Sequence, residues 1–108
     1  MTRAAIAIAL LAGVALAAPP PGADPDLAPW FRSLRVPGTG ASCCDVSDCR
    51  PVRSYRQVGD GIEAIAADGT VLSITPDKIL QGHSNPTGHA IACHSGATVY
   101  CFVRASET

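Results

Sequence analysis

Charge is scarce in this chain of 108 residues: 16% are Asp, Glu, Lys or Arg, and the formal net charge at pH 7 is −1. That leaves no electrostatic footprint for nucleic acid, and no run of like charge is long enough to act as an interaction tail. Aromatic residues make up 5%, with a single Trp, and the only Met is the first residue. A methionine-rich copper carrier, which needs soft thioether ligands, is therefore disfavoured. The apolar run near the N-terminus falls short of the roughly 18 residues a membrane span needs. A glycine-rich phosphate loop is missing, His94-Ser95-Gly96 is not a GxSxG nucleophile elbow, and Asp45 and Asp48 lie in no DxDxDG calcium loop. With no convergent acid, base and nucleophile set, no catalytic residue is assigned, no enzymatic activity is expected and no cofactor is implied.

What is present starts with an export signal. Arg3 supplies a positive start, Ala4 to Leu16 is small or apolar throughout, and Ala15-Leu16-Ala17 has the form of a peptidase site. Residues 1–17 are read as a secretory signal peptide. Leu11-Ala12-Gly13-Val14 has the shape of a lipoprotein signal without its cysteine, so no membrane anchor is expected, and one arginine does not make a twin-arginine signal. The expected destination is periplasmic or secreted, where disulfides form and persist.

Residues 18–28, "APPPGADPDLA", read as a proline-rich disordered arm. The domain is expected to occupy residues 29–108. Pro29 suits the first turn of a short helix that places Trp30, Phe31 and Leu34 on one side, ended by Pro37-Gly38. Trp30 and Phe31 either cover an open edge of the core or form a partner surface.

From Pro51 short β-prone runs alternate with turn signals: Val52 to Val58, Gly59-Asp60-Gly61, Ile62 to Ala66, Asp68-Gly69, and Val71 to Ile74. Three antiparallel strands in a meander follow, with Asp68-Gly69 as the strongest hairpin signal because both positions tolerate positive φ. Thr75 and Pro76 open one capped helical turn. The polar loop 81–90 leads to a final hairpin turning at Ser95-Gly96-Ala97; a turn centred on Ala97 sets Cys93 opposite Cys101. The fold class is thus mainly β: a small antiparallel meander or partly open barrel of about four to five short strands with short helical turns, small enough that covalent help is expected.

That help is expected from the five cysteines, Cys43, Cys44, Cys49, Cys93 and Cys101. Five thiols allow two bridges and leave one odd. Ser42 and Asp45 are spaced as a capping box, which predicts helix over residues 43–48 and sends Cys44 and Cys49 about 140° apart. Links from this segment to the C-terminal hairpin are favoured, each closing a loop of about 50 residues and contributing roughly 4 kcal/mol. A metal site is a weaker reading: the cysteines lack paired short spacings, and only a loose set of His89, Cys93 and one N-terminal thiol is conceivable, with His83 and His94 as the other imidazoles. Redox chemistry is weaker again, because CxxC is absent and aspartates raise a thiol's pKa. The odd thiol could also join two copies into a disulfide-linked dimer.

The chain resembles a group of small exported proteins, mainly from alphaproteobacteria, with an SCCxxxxC segment, a β-rich middle and two late cysteines. The matching elements are Trp30-Phe31, Ser42-Cys43-Cys44, Asp48-Cys49-Arg50-Pro51-Val52, Pro76 with Ile79-Leu80, Gly88 ahead of Cys93, and Cys101-Phe102-Val103. Arg104-Ala105 stand where a proline pair is usual in the group. The resemblance implies a fold and five cysteines but no activity. The expected function is that of a disulfide-stapled binding, interaction or structural module for an unknown protein or small ligand. A thiol-redox or metal-binding protein using the odd cysteine with His89 and Cys93 is the alternative.

Overall fold

The computed structural model describes residues 25–105. The expected signal peptide, residues 1–17, and residues 18–24 of the expected arm lie outside them. The arm's last residues do not continue as coil: Pro25–Leu27 form a 3-10 turn that runs into helix α1, Ala28–Ser33, with Pro29 in its first turn. Leu27 is partly buried and packs against the core cluster that holds Phe31 and Leu34.

After α1 the chain makes a narrow loop, closed by Val36 N–H donating to the Ala41 carbonyl and Cys43 N–H to the Leu34 carbonyl. It delivers the four-residue helix α2, Cys43–Val46. Ser42 sits at the N-cap position, but its side chain makes no cap bond, so the expected capping box does not form. The helix is also shorter than expected. Ser47 is fully extended, with φ −160° and ψ 172°, and the chain leaves α2 directly as strand β1, Asp48–Pro51.

Five more strands follow: β2 Ser54–Val58, β3 Gly61–Ile65, β4 Val71–Ile74, β5 Ile91–Ser95 and β6 Thr98–Val103. They form two three-stranded antiparallel sheets, β1-β5-β6 and β2-β3-β4, with the second as the expected meander. The sheets do not close into a barrel. The β3–β4 turn differs from the expected one: Gly69 takes φ +92° while Asp68 stays at negative φ. Gly69 N–H donates to the Ala66 carbonyl and Ala66 N–H to the Thr70 carbonyl, a three-residue loop with glycine in the left-handed position. Thr75 leads into a 3-10 turn at Pro76–Lys78, but its hydroxyl donates to the Asp77 carboxylate instead of capping the backbone.

Two hydrophobic clusters flank the β1-β5-β6 sheet. Ala92, Phe102 and Val99 face the meander sheet and pack with Ile62, Ala64, Leu72, Ile74 and Ile79. Ile91, Cys93, Cys101 and Val103 face the other way, toward Phe31, Leu34, Val36 and Cys43. Alternate side chains of a strand point to opposite faces, and here both faces are covered, which is why β5 is buried from Ile91 through His94. The outer edge of β6 is closed by Ile79-Leu80, whose Leu80 N–H donates to the Phe102 carbonyl.

The last hairpin is not centred on Ala97. Ser95 pairs with Thr98 and His94 with Val99, but Cys93 pairs with Cys101 because a bulge inserts Tyr100. A bulge residue of this kind leaves one extra position on one strand. It turns Cys101 onto the face that Cys93 occupies.

Candidate functional site

The sulfur atoms collect on the helix-facing side of the β1-β5-β6 sheet. In register, Cys49 of β1 pairs with Cys93 of β5, which pairs with Cys101 of β6. Two bridges form, Cys43–Cys101 and Cys49–Cys93, at sequence separations of 58 and 44. Both run from the 43–49 segment to the final hairpin. The first ties α2 to β6 and the second ties β1 to β5. All four of these cysteines are buried.

Cys44 keeps a free thiol. Its Sγ lies 2.9 Å from Cys49 Sγ and 3.5 Å from the Phe31 carbonyl oxygen. The helical phasing that separates Cys44 from Cys49 does not hold, because α2 stops at Val46 and the strand that follows folds Cys49 back beneath it. Partial burial pushes the Cys44 thiol up to about 11, and the neighbouring Asp45 and Asp48 carboxylates add to the shift by disfavouring the thiolate. This thiol is therefore held protonated at neutral pH.

The metal set of His89, Cys93 and an N-terminal thiol is not assembled. Cys93 is in a bridge, and His89 is an exposed residue of the 81–90 loop. Among the described residues, Cys44, Cys49 and Cys93 bring three sulfur atoms within 4.8 Å of one another. Two of the three are bonded together and cannot act as thiolate ligands unless that bridge is reduced.

Of the expected surface pair, Trp30 is partly buried and Phe31 is buried. Phe31 is 3% exposed and packs in the core, while Trp30 lies edge-on against it with ring centroids 5.0 Å apart. The indole Nε1–H donates to the Ser84 carbonyl at 2.6 Å, so the Trp30 segment and the 81–90 loop cover each other. The loop is organised from within by Asn85, a buried residue with no motif to announce it. Its Nδ2 donates to the His89 and Arg104 carbonyls, and its Oδ1 accepts from the Thr87 N–H and hydroxyl.

The opposite face of the same sheet carries a polar cleft. Asp48 and Arg50 of β1, Ala67 and Asp68 of the β3–β4 turn, and His94, Ser95 and Gly96 at the end of β5 line a volume of about 460 Å³. The alternation of β1 explains the assembly: Cys49 points to the sulfur row, so Asp48 and Arg50 on either side of it point to the cleft. Asp48 is the register partner of His94. His94 Nδ1 lies 2.8 Å from the Gly96 carbonyl oxygen; a carbonyl only accepts, so Nδ1 carries the hydrogen and a neutral ring has Nε2 as its acceptor. Asp68 accepts from the Thr70 N–H, which with the Thr70 side chain and the His94 ring holds its carboxyl below the usual carboxylate range.

No motif joins Asp48, Arg50, Asp68 and His94 in the sequence, because three separate segments bring them together. No family model, no curated protein and no solved structure matches the chain. Among the described residues no helix is long and apolar enough to cross a membrane.

Proposed function

We propose that the chain is an exported, disulfide-stapled binding module, and that the cleft beside the Cys49–Cys93 bridge takes a small polar ligand carrying both positive and negative groups. The observation that carries this reading is the convergence of Asp48, Arg50, Asp68 and His94 on one cleft of about 460 Å³. That size falls within the roughly 300–1,000 Å³ of small-molecule sites. The two carboxylates are suited to a cationic group and the guanidinium to a carboxylate, for which its planar fork is well matched. Asp68, held ionised by its hydrogen bonds, serves as a fixed anchor and not as a proton shuttle, whose pKa belongs near the working pH. Binding without chemical conversion is the activity these properties favour.

Export accounts for the bridges, which persist in oxidising compartments, and it agrees with the sequence resemblance to small exported cysteine-containing proteins. The test is a titration of isotope-labelled, fully bridged protein with a panel of free amino acids and dipeptides, followed by amide NMR. Shifts centred on Asp48, Arg50, Asp68 and His94, lost in Arg50→Ala, are expected. An absence of saturable shifts across the panel, or shifts centred on Trp30 and the 81–90 loop, would overturn the cleft as the binding site.

A further inference from the structure

Thiol–disulfide exchange needs a sulfur nucleophile within reach of a disulfide sulfur, and its rate depends on access as well as on acidity. Cys44 meets the condition of access. Its Sγ is 2.9 Å from Cys49 Sγ, the sulfur bonded to Cys93, and all three atoms fall within 4.8 Å of one another. A cysteine kept only for packing would need no such approach to a bridge.

We infer that Cys44 and the Cys49–Cys93 bridge form an internal exchange centre, through which the protein interconverts between two bridge isomers. In the step, the Cys44 thiolate directs an electron pair at Cys49 Sγ. A Cys44–Cys49 bond forms as the Cys49–Cys93 bond breaks, and Cys93 leaves as a thiolate that takes up the proton Cys44 gave away. One thiol and one disulfide stand on each side of the exchange, so no outside oxidant or reductant is consumed.

The two isomers differ in what they hold together. The Cys49–Cys93 bridge spans 44 positions and fastens β1 to β5. Its replacement spans five positions within one segment, so it constrains the unfolded chain much less and leaves β1 attached to β5 by the backbone ladder alone. Cys43–Cys101 is untouched and keeps α2 fixed to β6 in both isomers. The exchange therefore loosens one strand while the rest of the domain stays stitched. Because β1 supplies Asp48 and Arg50 to the cleft, that strand is also the one whose release would alter it. The inference does not rest on the binding reading, and its test contains no ligand.

The test uses the full oxidised protein, incubated at mildly alkaline pH, acid-quenched over time, unfolded under acid and labelled with N-ethylmaleimide. Digestion before Asp45 and Asp48 separates Cys44 from Cys49, so mass spectrometry locates both the label and the bridges. Label confined to Cys44 at the start is expected to appear on Cys93, together with a Cys44–Cys49 link, at a rate independent of protein concentration. Cys44→Ser, or Cys44→Ala should the hydroxyl disturb folding, is expected to abolish Cys93 labelling. The proposal is overturned if the label stays on Cys44 throughout. Persistence of Cys93 labelling in the Cys44 variants, or a rate that scales with concentration, would overturn it equally.

Discussion

Asp48 stands across from His94 in the β1–β5 ladder, and the next pair along that ladder is the bridged Cys49 and Cys93. Side chains alternate between faces, so one covalent link on the helix side sets which residues face the cleft on the other side. The bridge thereby has a positional effect besides its thermodynamic one, and the two can be measured apart.

The Cys43–Cys101 bridge closes the longer loop, with a separation of 58. Replacing both cysteines with serine is expected to lower stability by roughly 4 kcal/mol, the chain-entropy value for a loop of that length. Urea denaturation of the doubly substituted protein checks this. Because β1 and β5 remain bridged, amide shifts around Asp48 and His94 should stay close to those of the parent.

Cys44 should alkylate slowly at neutral pH and faster as pH rises toward about 11. Since nearby Asp45 and Asp48 both raise its pKa, after burial as the larger cause, Asp45→Asn is expected to shift the rate profile to lower pH. Iodoacetamide kinetics across pH measure both effects. The linkage has a definite sign. The folded-state pKa lies above the ordinary 9.0, so the contribution of the protonated thiol to stability is fully present below pH 9 and is lost as pH rises toward 11.

Gly61 opens β3 where the backbone of β4 comes close. A Cβ at this position would lie 2.6 Å from the Ile74 carbonyl oxygen. Because that obstacle is backbone and cannot swing aside, Gly61→Ala should destabilise by about 1–3 kcal/mol. Gly69→Ala offers a contrast, since nothing lies within 4 Å of a Cβ there and its cost arises from φ +92° alone. Thermal denaturation of the two variants separates overpacking from backbone strain.

Asn85→Ala leaves the buried ends of several hydrogen bonds unmatched, including the His89 and Arg104 carbonyls. A loss of about 1–3 kcal/mol is expected. Asn85→Asp should not restore it, because a carboxylate cannot donate to those carbonyls. The single Trp reports on the same loop through its bond to the Ser84 carbonyl, so Trp30 fluorescence should change with both variants.

The meander was legible from local signals. Gly59, Asp68 and Gly69 mark its turns, and the buried alternation of Ile62, Ala64 and Ala66 in and beyond β3, with Leu72 and Ile74 in β4, follows the two-residue period of a strand. That bridges form was expected from an oxidising destination and the size of the domain, and their long-range direction was read from a helical phasing that the short α2 does not keep, together with the distant positions of Cys93 and Cys101. Strand β1 was not legible. Asp48-Cys49-Arg50-Pro51 begins and ends on residues depleted in strands, and tertiary pairing with β5 overrides that local preference. Pro51 is tolerated because β1 is the edge of its sheet. Once helix is assumed through residue 48, the approach of Cys44 to Cys49 cannot be found. The cleft was hidden for a different reason: Asp48 meets His94 only through the β1–β5 ladder, Asp68 joins them from the turn of the other sheet, and no short-range pattern encodes either meeting.

Tyr100 gives the final hairpin an odd-numbered setting. Between the Ser95–Thr98 pair and the Cys93–Cys101 pair, β5 advances two residues and β6 advances three. With that residue deleted, the His94–Val99 pair would be followed at once by Cys93–Cys101, so the cysteines would still face each other; with the residue kept but the bulge ironed out, Tyr100 would stand opposite Cys93 and Cys101 would turn to the face now held by Phe102, stranding Cys43. The pairing of sulfurs more than fifty residues apart thus depends on whether one residue of β6 is looped out of the ladder, and a single deletion at Tyr100 is expected to leave that pairing intact.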